Sequence, residues 1–233
     1  MRASASRPRI DPTGPCAYLA GMDWQGRIIG DNRIWGAASA SPLIVVGDEA
    51  IAPDGPLGKV LPEGLASTND TCHLPAIGQI AAVDRLSLIG FQSLNPHWDG
   101  VAVIVGVSAT IWATLSAGEV IHQQGSATPQ MAAALSLDQV QPRGMEGALD
   151  RPERLPLLLH SAAAPEDRLG ALMGAEVGAT RTLWLGQQAV LLGDGALTRA
   201  YGGALSAAHV PVTLTDSPAL KEKGFGALAS LLA

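Results

Sequence analysis

Aromatic residues make up only 4% of this 233-residue chain, and it holds just two cysteines. A core of that composition is built from Ala, Val, Leu and Gly in closely approaching elements rather than from large rings. Cys16 and Cys72 have neither CxxC spacing nor a histidine pair nearby, which argues against a zinc or redox motif and leaves them a structural role in a reducing cytoplasm. No apolar run approaches the ~20 residues that span a bilayer, so no membrane partner is expected. Lys and Arg form no cluster of the kind that tracks a phosphate backbone, which excludes nucleic acid. The histidines show no metal-ligand spacing, and no Gly-x-Ser-x-Gly elbow marks a serine hydrolase.

What is present is ample material for a core, 47% hydrophobic against 15% charged residues with a net charge of −6. It suffices for one large domain or two lobes with a shared cleft. Residues 1–15 carry Arg2, Arg7 and Arg9 among Ser and Pro without the apolar segment of a signal peptide, and read as a solvated tail. Segment 17–22 reads as a strand ending at Asp23, and 43–46 as another ending at Gly47-Asp48-Glu49, so each delivers a carboxylate at its C-terminal end. Pro and Gly crowd 53–75, predicting a long irregular excursion. Segments 101–105, 110–115 and 120–122 read as a buried strand followed by a hairpin. Thr128-Pro129 opens a short helix towards Leu135, and 142–156 reads as a loop.

The last third carries the clearest pattern. Leu169, Leu172, Met173, Val177 and Trp184 form a helical stripe that Gly186 can terminate, with Glu176 on its apolar side as a carboxylate for Arg181 or a backbone group to hold. A buried strand, the turn Gly193-Asp194-Gly195, a helix bearing Tyr201 and Leu205, a strand near 212–214 and a helix opened by Ser217-Pro218 follow. That alternation predicts an α/β layer whose turn faces a ligand. Glycine admits a ligand close to the backbone, and the following helix offers free N–H groups.

Four blocks together resemble the 2-keto-3-deoxygalactonate kinases of the actin-like sugar kinase superfamily. Tyr18 to Trp24 is similar to the family's opening strand and its Asp-Trp-Gly-Thr turn, and Leu88-Ile89-Gly90 to the end of its Arg-Gly-Glu-Glu-Thr-Gln-Leu-Ile-Gly segment. Trp112 stands where the family has Pro-Gly-Thr-His-Ser-Lys-Trp. Leu172-Met173-Gly174-Ala175-Glu176 and the run from Leu192 to Leu197 with Tyr201 resemble its Leu-Ile-Gly-Ala-Glu helix and Gly-rich turn.

The resemblance implies an α/β, ribonuclease H-like two-lobed kinase fold with a trimmed first lobe, divided into 16–99 and 100–233. It implies a cytoplasmic enzyme using ATP and Mg2+ to phosphorylate a 2-keto-3-deoxy sugar acid such as 2-dehydro-3-deoxygalactonate. Asp23 would hold the metal and Asp84 would serve the substrate as acid or base, unless it merely pairs with Arg85. Gly193, Asp194, Gly195 and Thr198 would line the nucleoside, Gly106, Ser108 and Thr110 the phosphates, and Trp24, Arg33 and Trp112 the sugar acid. The chain departs from the family where chemistry is densest: Gln25-Gly26 replaces Gly-Thr, the histidine and lysine are missing from 106–111, and Asp84 is one carboxylate where the family has two. Those losses leave open a non-catalytic member that binds a sugar acid, a nucleotide or a protein partner.

Overall fold

The computed structural model describes residues 24–37, 42–68, 71–137 and 140–232, so the strand expected at 17–22 and Asp23 lie outside the described residues. The chain divides into two compact units, the first running to His97 and resuming at Pro218, the second spanning Trp98–Ser217.

In the first unit β1 (Gln25–Ile28) pairs antiparallel with β2 (Ile34–Gly36) and parallel with β3 (Leu43–Val46). Strand β4 (Ala66–Thr68) closes the far edge against β5 (Thr71–Leu74), giving the order β2-β1-β3-β5-β4. Register places Gly26 opposite Ile44 and Ile44 opposite Cys72, with Ile28, Val46 and Leu74 aligned two residues on. These alternate residues share one face and supply the apolar layer. Helix α1 (Ala82–Leu94) adds Leu86, Leu88 and Ile89 to the unit's core. The expected excursion is irregular only as far as Leu65, because the segment ends in β4 and β5. Cys72, buried in β5, is disulfide-bonded rather than a free thiol.

The second unit opens with an antiparallel meander of β6 (Gly100–Val105), β7 (Thr110–Ser116) and β8 (Glu119–Ser126). Ala117 and Gly118, with φ of 50° and 79°, close the β7/β8 hairpin. Two consecutive positive φ values are the turn that matches the twist of paired strands. Helices α2 (Thr128–Ala134), α3 (Glu146–Asp150), α4 (Leu155–Ser161), α5 (Pro165–Ala179) and α6 (Arg181–Trp184) follow. Strand β9 (Ala189–Leu192) then lies parallel to β6, helix α7 (Ala196–Ala207) intervenes, and β10 (Val212–Leu214) lies parallel to β9. The order β10-β9-β6-β7-β8, three antiparallel strands extended by two parallel ones, is that of a ribonuclease H-like lobe.

Two expectations change here. The presumed loop 142–156 contains α3 and a turn of 3-10 helix at Pro152–Arg154. Its partner explains it: Gly170, Gly174 and Gly178 repeat every fourth residue on α5, and a Cβ on any of them would run into the carbonyls of Arg143, Met145 or Leu149. The bare stripe lets the α3 backbone rest directly on α5. The long helix through Trp184 breaks at Thr180, whose hydroxyl donates to the Glu176 carbonyl at 2.9 Å, and restarts as α6.

The final helix, α8 (Ser217–Leu231), returns to the first unit, so that unit is not confined to the N-terminal part of the chain. A Cβ on Gly90 would overlap the Leu220 carbonyl and one on Gly224 the Leu86 carbonyl, which brings α1 and α8 into backbone contact. Three aromatic rings meet there: Phe225, fully buried, lies 5.9 Å from Trp24 and 5.8 Å from Trp35. Among the described residues no helix is long and apolar enough to cross a membrane.

Candidate functional site

Strand β9 ends at Leu192 and hands the chain to Gly193 and Gly195, at φ of 129° and 111°. Only glycine fits the first position, because a Cβ there would stand 2.6 Å from the Val105 carbonyl oxygen and 3.1 Å from Thr198 Oγ1. The turn therefore rests on the C-terminal end of β6, beside the reversal in which Gly106 N donates to Ala109 O at 2.9 Å. Helix α7 begins immediately afterwards with no side-chain cap. Its first-turn N–H groups are the kind that seek an outside acceptor. Thr198 faces the same turn, is 5% exposed, and its hydroxyl has no hydrogen-bond partner among the described residues. A buried polar group left unpaired costs about 1–3 kcal/mol. A bare glycine turn, an uncapped helix start and an orphaned hydroxyl thus converge at one place. Asp194 lies exposed on that turn, and Ser108 is exposed on the neighbouring one.

Other expected contacts lie inside the second unit. Thr110 is fully buried and its hydroxyl donates to the Tyr201 hydroxyl at 3.2 Å, so it is not displayed towards a phosphate. Trp112 is likewise fully buried, with Nε1 donating to Glu176 Oε1 at 2.6 Å, and lines no open surface for a sugar acid. Glu176 Oε2 also accepts from Ser126 Oγ and Tyr201 OH, both at 2.7 Å. Arg181 does not hold this carboxylate; it turns instead to the Leu149 carbonyl at 3.2 Å and to Asp150. Burial, reinforced by the Glu176 charge, pushes the Tyr201 hydroxyl pKa well above its ordinary value, so Tyr201 is a neutral donor. Three charge-assisted bonds satisfy the buried carboxylate without a cation.

In the first unit Asp84 occupies the first turn of α1, half-buried, and desolvation raises its pKa against an opposing pull from Lys221. It does not pair with Arg85, whose guanidinium donates to the carbonyls of Lys59, Val60, Pro75 and Ala76. Trp24 packs on Phe225, and exposed Arg33 lies 3.8 Å over the Trp35 ring. His73, 4% exposed in β5, holds its Nδ1 3.9 Å from Asp48 Oδ2 without a hydrogen bond. Sequence reasoning singled out neither Arg85 nor His73. For Arg85 there was a signal, a lone cation inside the apolar stripe of α1. Among the described residues no three His, Cys, Asp or Glu side chains gather as a metal site.

Comparison with known families places the sharpest of these features. The stretch 150–228 matches the model of the 2-keto-3-deoxy-galactonokinase family. It contains Glu176, the Gly193 turn, Thr198 and Tyr201, so the kinase resemblance read from the last block is borne out. A crystal structure of a protein assigned as a 2-dehydro-3-deoxygalactonokinase, from Sinorhizobium meliloti, superposes with a TM-score of 0.65 at 17% identity, covering 81% of this chain and 79% of that one. The likeness shows that the two chains share a fold. Component A of the (R)-2-hydroxyglutaryl-CoA dehydratase of Acidaminococcus fermentans overlaps at a TM-score of 0.38 and 14% identity, over 63% of this chain and 65% of that one. No curated protein sequence matches the chain.

Proposed function

We propose that the chain binds ATP with magnesium through its second unit and transfers the γ-phosphoryl group to a 2-keto-3-deoxy sugar acid of the 2-dehydro-3-deoxygalactonate type. The observation that supports this most directly is the orphaned Thr198 hydroxyl at the uncapped start of α7. The absent side chain at Gly193 admits a ligand to the backbone, and the α7 N–H groups and Thr198 Oγ1 supply donors for its oxygens. Magnesium, when bound, neutralises phosphate charge. It takes one or two carboxylates beside the phosphates and waters, and this reading assigns Asp23 to it. Asp84, with its raised pKa, is assigned to the sugar acid as acid or base, since a more basic carboxylate is the better proton acceptor. The new P–O bond forms as the bond to the departing ADP oxygen breaks.

A second reading, nucleotide binding without transfer, draws on the neighbouring turn. Gly106 to Ala109 contains no cation, Val107 is 96% exposed, and Thr110 is sealed inside. Charge stabilisation of a transferring phosphoryl is then short of a donor. Calorimetric titration with ATP·Mg2+, followed by an assay of ADP release in the presence of 2-dehydro-3-deoxygalactonate, separates the readings. Binding with turnover supports the kinase, binding without turnover supports the second reading, and no binding overturns both. A kinase of this class works in the cytoplasm, with the disulfide at Cys72 weighing towards an oxidising compartment instead.

A further inference from the structure

The first unit contains a cleft of about 420 Å3 walled by the loop 55–64, Pro75 and Ile77, with Arg85 at its base. Arg85 is 5% exposed and is the sole buried Arg or Lys among the described residues. Its Nε donates to Val60 O at 2.9 Å, Nη1 to Pro75 O at 3.0 Å and Ala76 O at 3.5 Å, and Nη2 to Lys59 O at 2.9 Å. A guanidinium carries five N–H donors; these four carbonyls leave one Nη2–H over.

The charge is also uncompensated. Among the described residues no carboxylate lies within ion-pair distance of Arg85, and its sequence neighbour Asp84 has Lys221 as its charge contact. Burial lowers the Arg85 pKa only to about 10, so the group stays protonated at neutral pH. At the rim Lys59 bridges to Glu63 at 2.7 Å and the two charges cancel. The cleft as a whole therefore carries one positive charge, held by carbonyl dipoles that solvate it without neutralising it. A buried cation of this kind is stabilised by an anion brought to it.

We propose that this cleft receives the carboxylate of a small keto- or hydroxy-acid, with the remaining Arg85 Nη2–H donating to a carboxylate oxygen and the loop 55–64 covering the carbon chain. The identity of the acid rests on the kinase reading above; the site itself does not. A carboxylate suits the cleft better than a phosphate, because a single N–H and one net charge match a monoanion, whereas a phosphate calls for several donors. The same four carbonyl bonds make Arg85 the post on which the cleft walls hang. The charge and the shape of the site thus depend on one side chain.

The test uses the whole chain and reads the Arg85 Nε–Hε resonance by NMR, alongside calorimetry. Titration with 2-dehydro-3-deoxygalactonate is expected to shift that resonance, its neutral methyl ester to bind at least tenfold more weakly, and inorganic phosphate to leave the resonance in place. Because Arg85→Lys can collapse the loop, the supporting variant is Lys59→Glu, which turns the neutral rim doubly negative without touching the four carbonyl bonds. It is expected to weaken acid binding at least fivefold with an unchanged melting temperature. An unmoved Arg85 resonance in acid, while ATP·Mg2+ still binds, overturns the cleft and leaves the kinase reading standing. A shifted resonance with no ATP binding keeps the cleft and removes the kinase. Equal shifts with acid and phosphate, or equal affinity for acid and ester, overturn the assignment to a carboxylate.

Discussion

Thr198 and Tyr201 sit three residues apart on α7, both buried to 95% or more, and their hydroxyls have opposite fates. Tyr201 donates to Glu176 at 2.7 Å and receives the Thr110 hydroxyl at 3.2 Å, whereas Thr198 has no partner among the described residues. One helix therefore carries a saturated polar centre and an open one. The saturated centre ties α7 to α5 and to the sheet through Glu176, Trp112 and Ser126. The open centre faces the glycine turn that this anchored helix holds in place. Buried polar atoms that find partners within the chain contribute to stability. One that finds none marks a place completed from outside.

The strongest blow to this contrast is Glu176→Ala. It strips the acceptor from Trp112 Nε1, Ser126 Oγ and Tyr201 OH together, and orphaning a buried network of charge-assisted bonds costs about 3–5 kcal/mol. Urea denaturation should show a midpoint shift of that size. A loss under about 1 kcal/mol would mean that apolar packing around α5 suffices and the carboxylate is not the anchor. Gly193→Ala comes next, acting on the open side. The φ of 129° and the approach to the Val105 carbonyl predict a destabilisation of about 1–3 kcal/mol. ATP·Mg2+ affinity should be lost with it, and retained affinity would remove the turn from the nucleotide site.

His73 extends the comparison to the first unit, since its buried Nδ1 also has no hydrogen-bond partner among the described residues. Burial lowers its pKa below 6.5, against a smaller opposing effect of Asp48. The neutral ring is thus the form the fold favours. Stability tied to it is present above the unfolded pKa and lost as pH falls through the lowered folded value. Unfolding free energy should decline from about pH 6.5 downward with a slope of at most about 1.4 kcal/mol per pH unit from this residue. His73→Gln should flatten that slope. An unchanged slope would assign the acid sensitivity to carboxylates whose pKa the fold lowers, such as Asp167 beside Arg143.

These contrasts were only partly legible in the chain. The β7/β8 hairpin and the Gly193 turn could be read because their signals are local, two turn residues in one case and glycines after a buried run in the other. The α3 helix could not, because what stabilises it is a glycine stripe on α5 roughly 25 residues further on. Thr110 and Trp112 were assigned to ligands although residues two apart on a strand share a face. Once Trp112 is committed to the core, Thr110 goes with it. Arg85 was hidden for a different reason: its four acceptors are backbone carbonyls, and no residue type in the sequence announces a carbonyl that will be pointed at it.

Thr198→Val is the gentlest change and separates the two centres most cleanly. The side chains are nearly the same size, so the packing of α7 against Gly193 and Val105 is kept and only the orphaned hydroxyl is removed. Taking an unpaired hydroxyl out of a buried site does not cost a protein hydrogen bond, so unfolding free energy should stay within about 0.5 kcal/mol of wild type or rise. A ligand that uses that hydroxyl loses a hydrogen bond, and ATP·Mg2+ affinity measured by calorimetry should fall about fivefold to tenfold, or roughly 1–1.4 kcal/mol. Stability and affinity then move independently, which Glu176→Ala and Gly193→Ala cannot achieve. If Thr198→Val instead lowers stability and leaves affinity unchanged, the hydroxyl serves the fold, and the two hydroxyls of α7 mark the same kind of site after all.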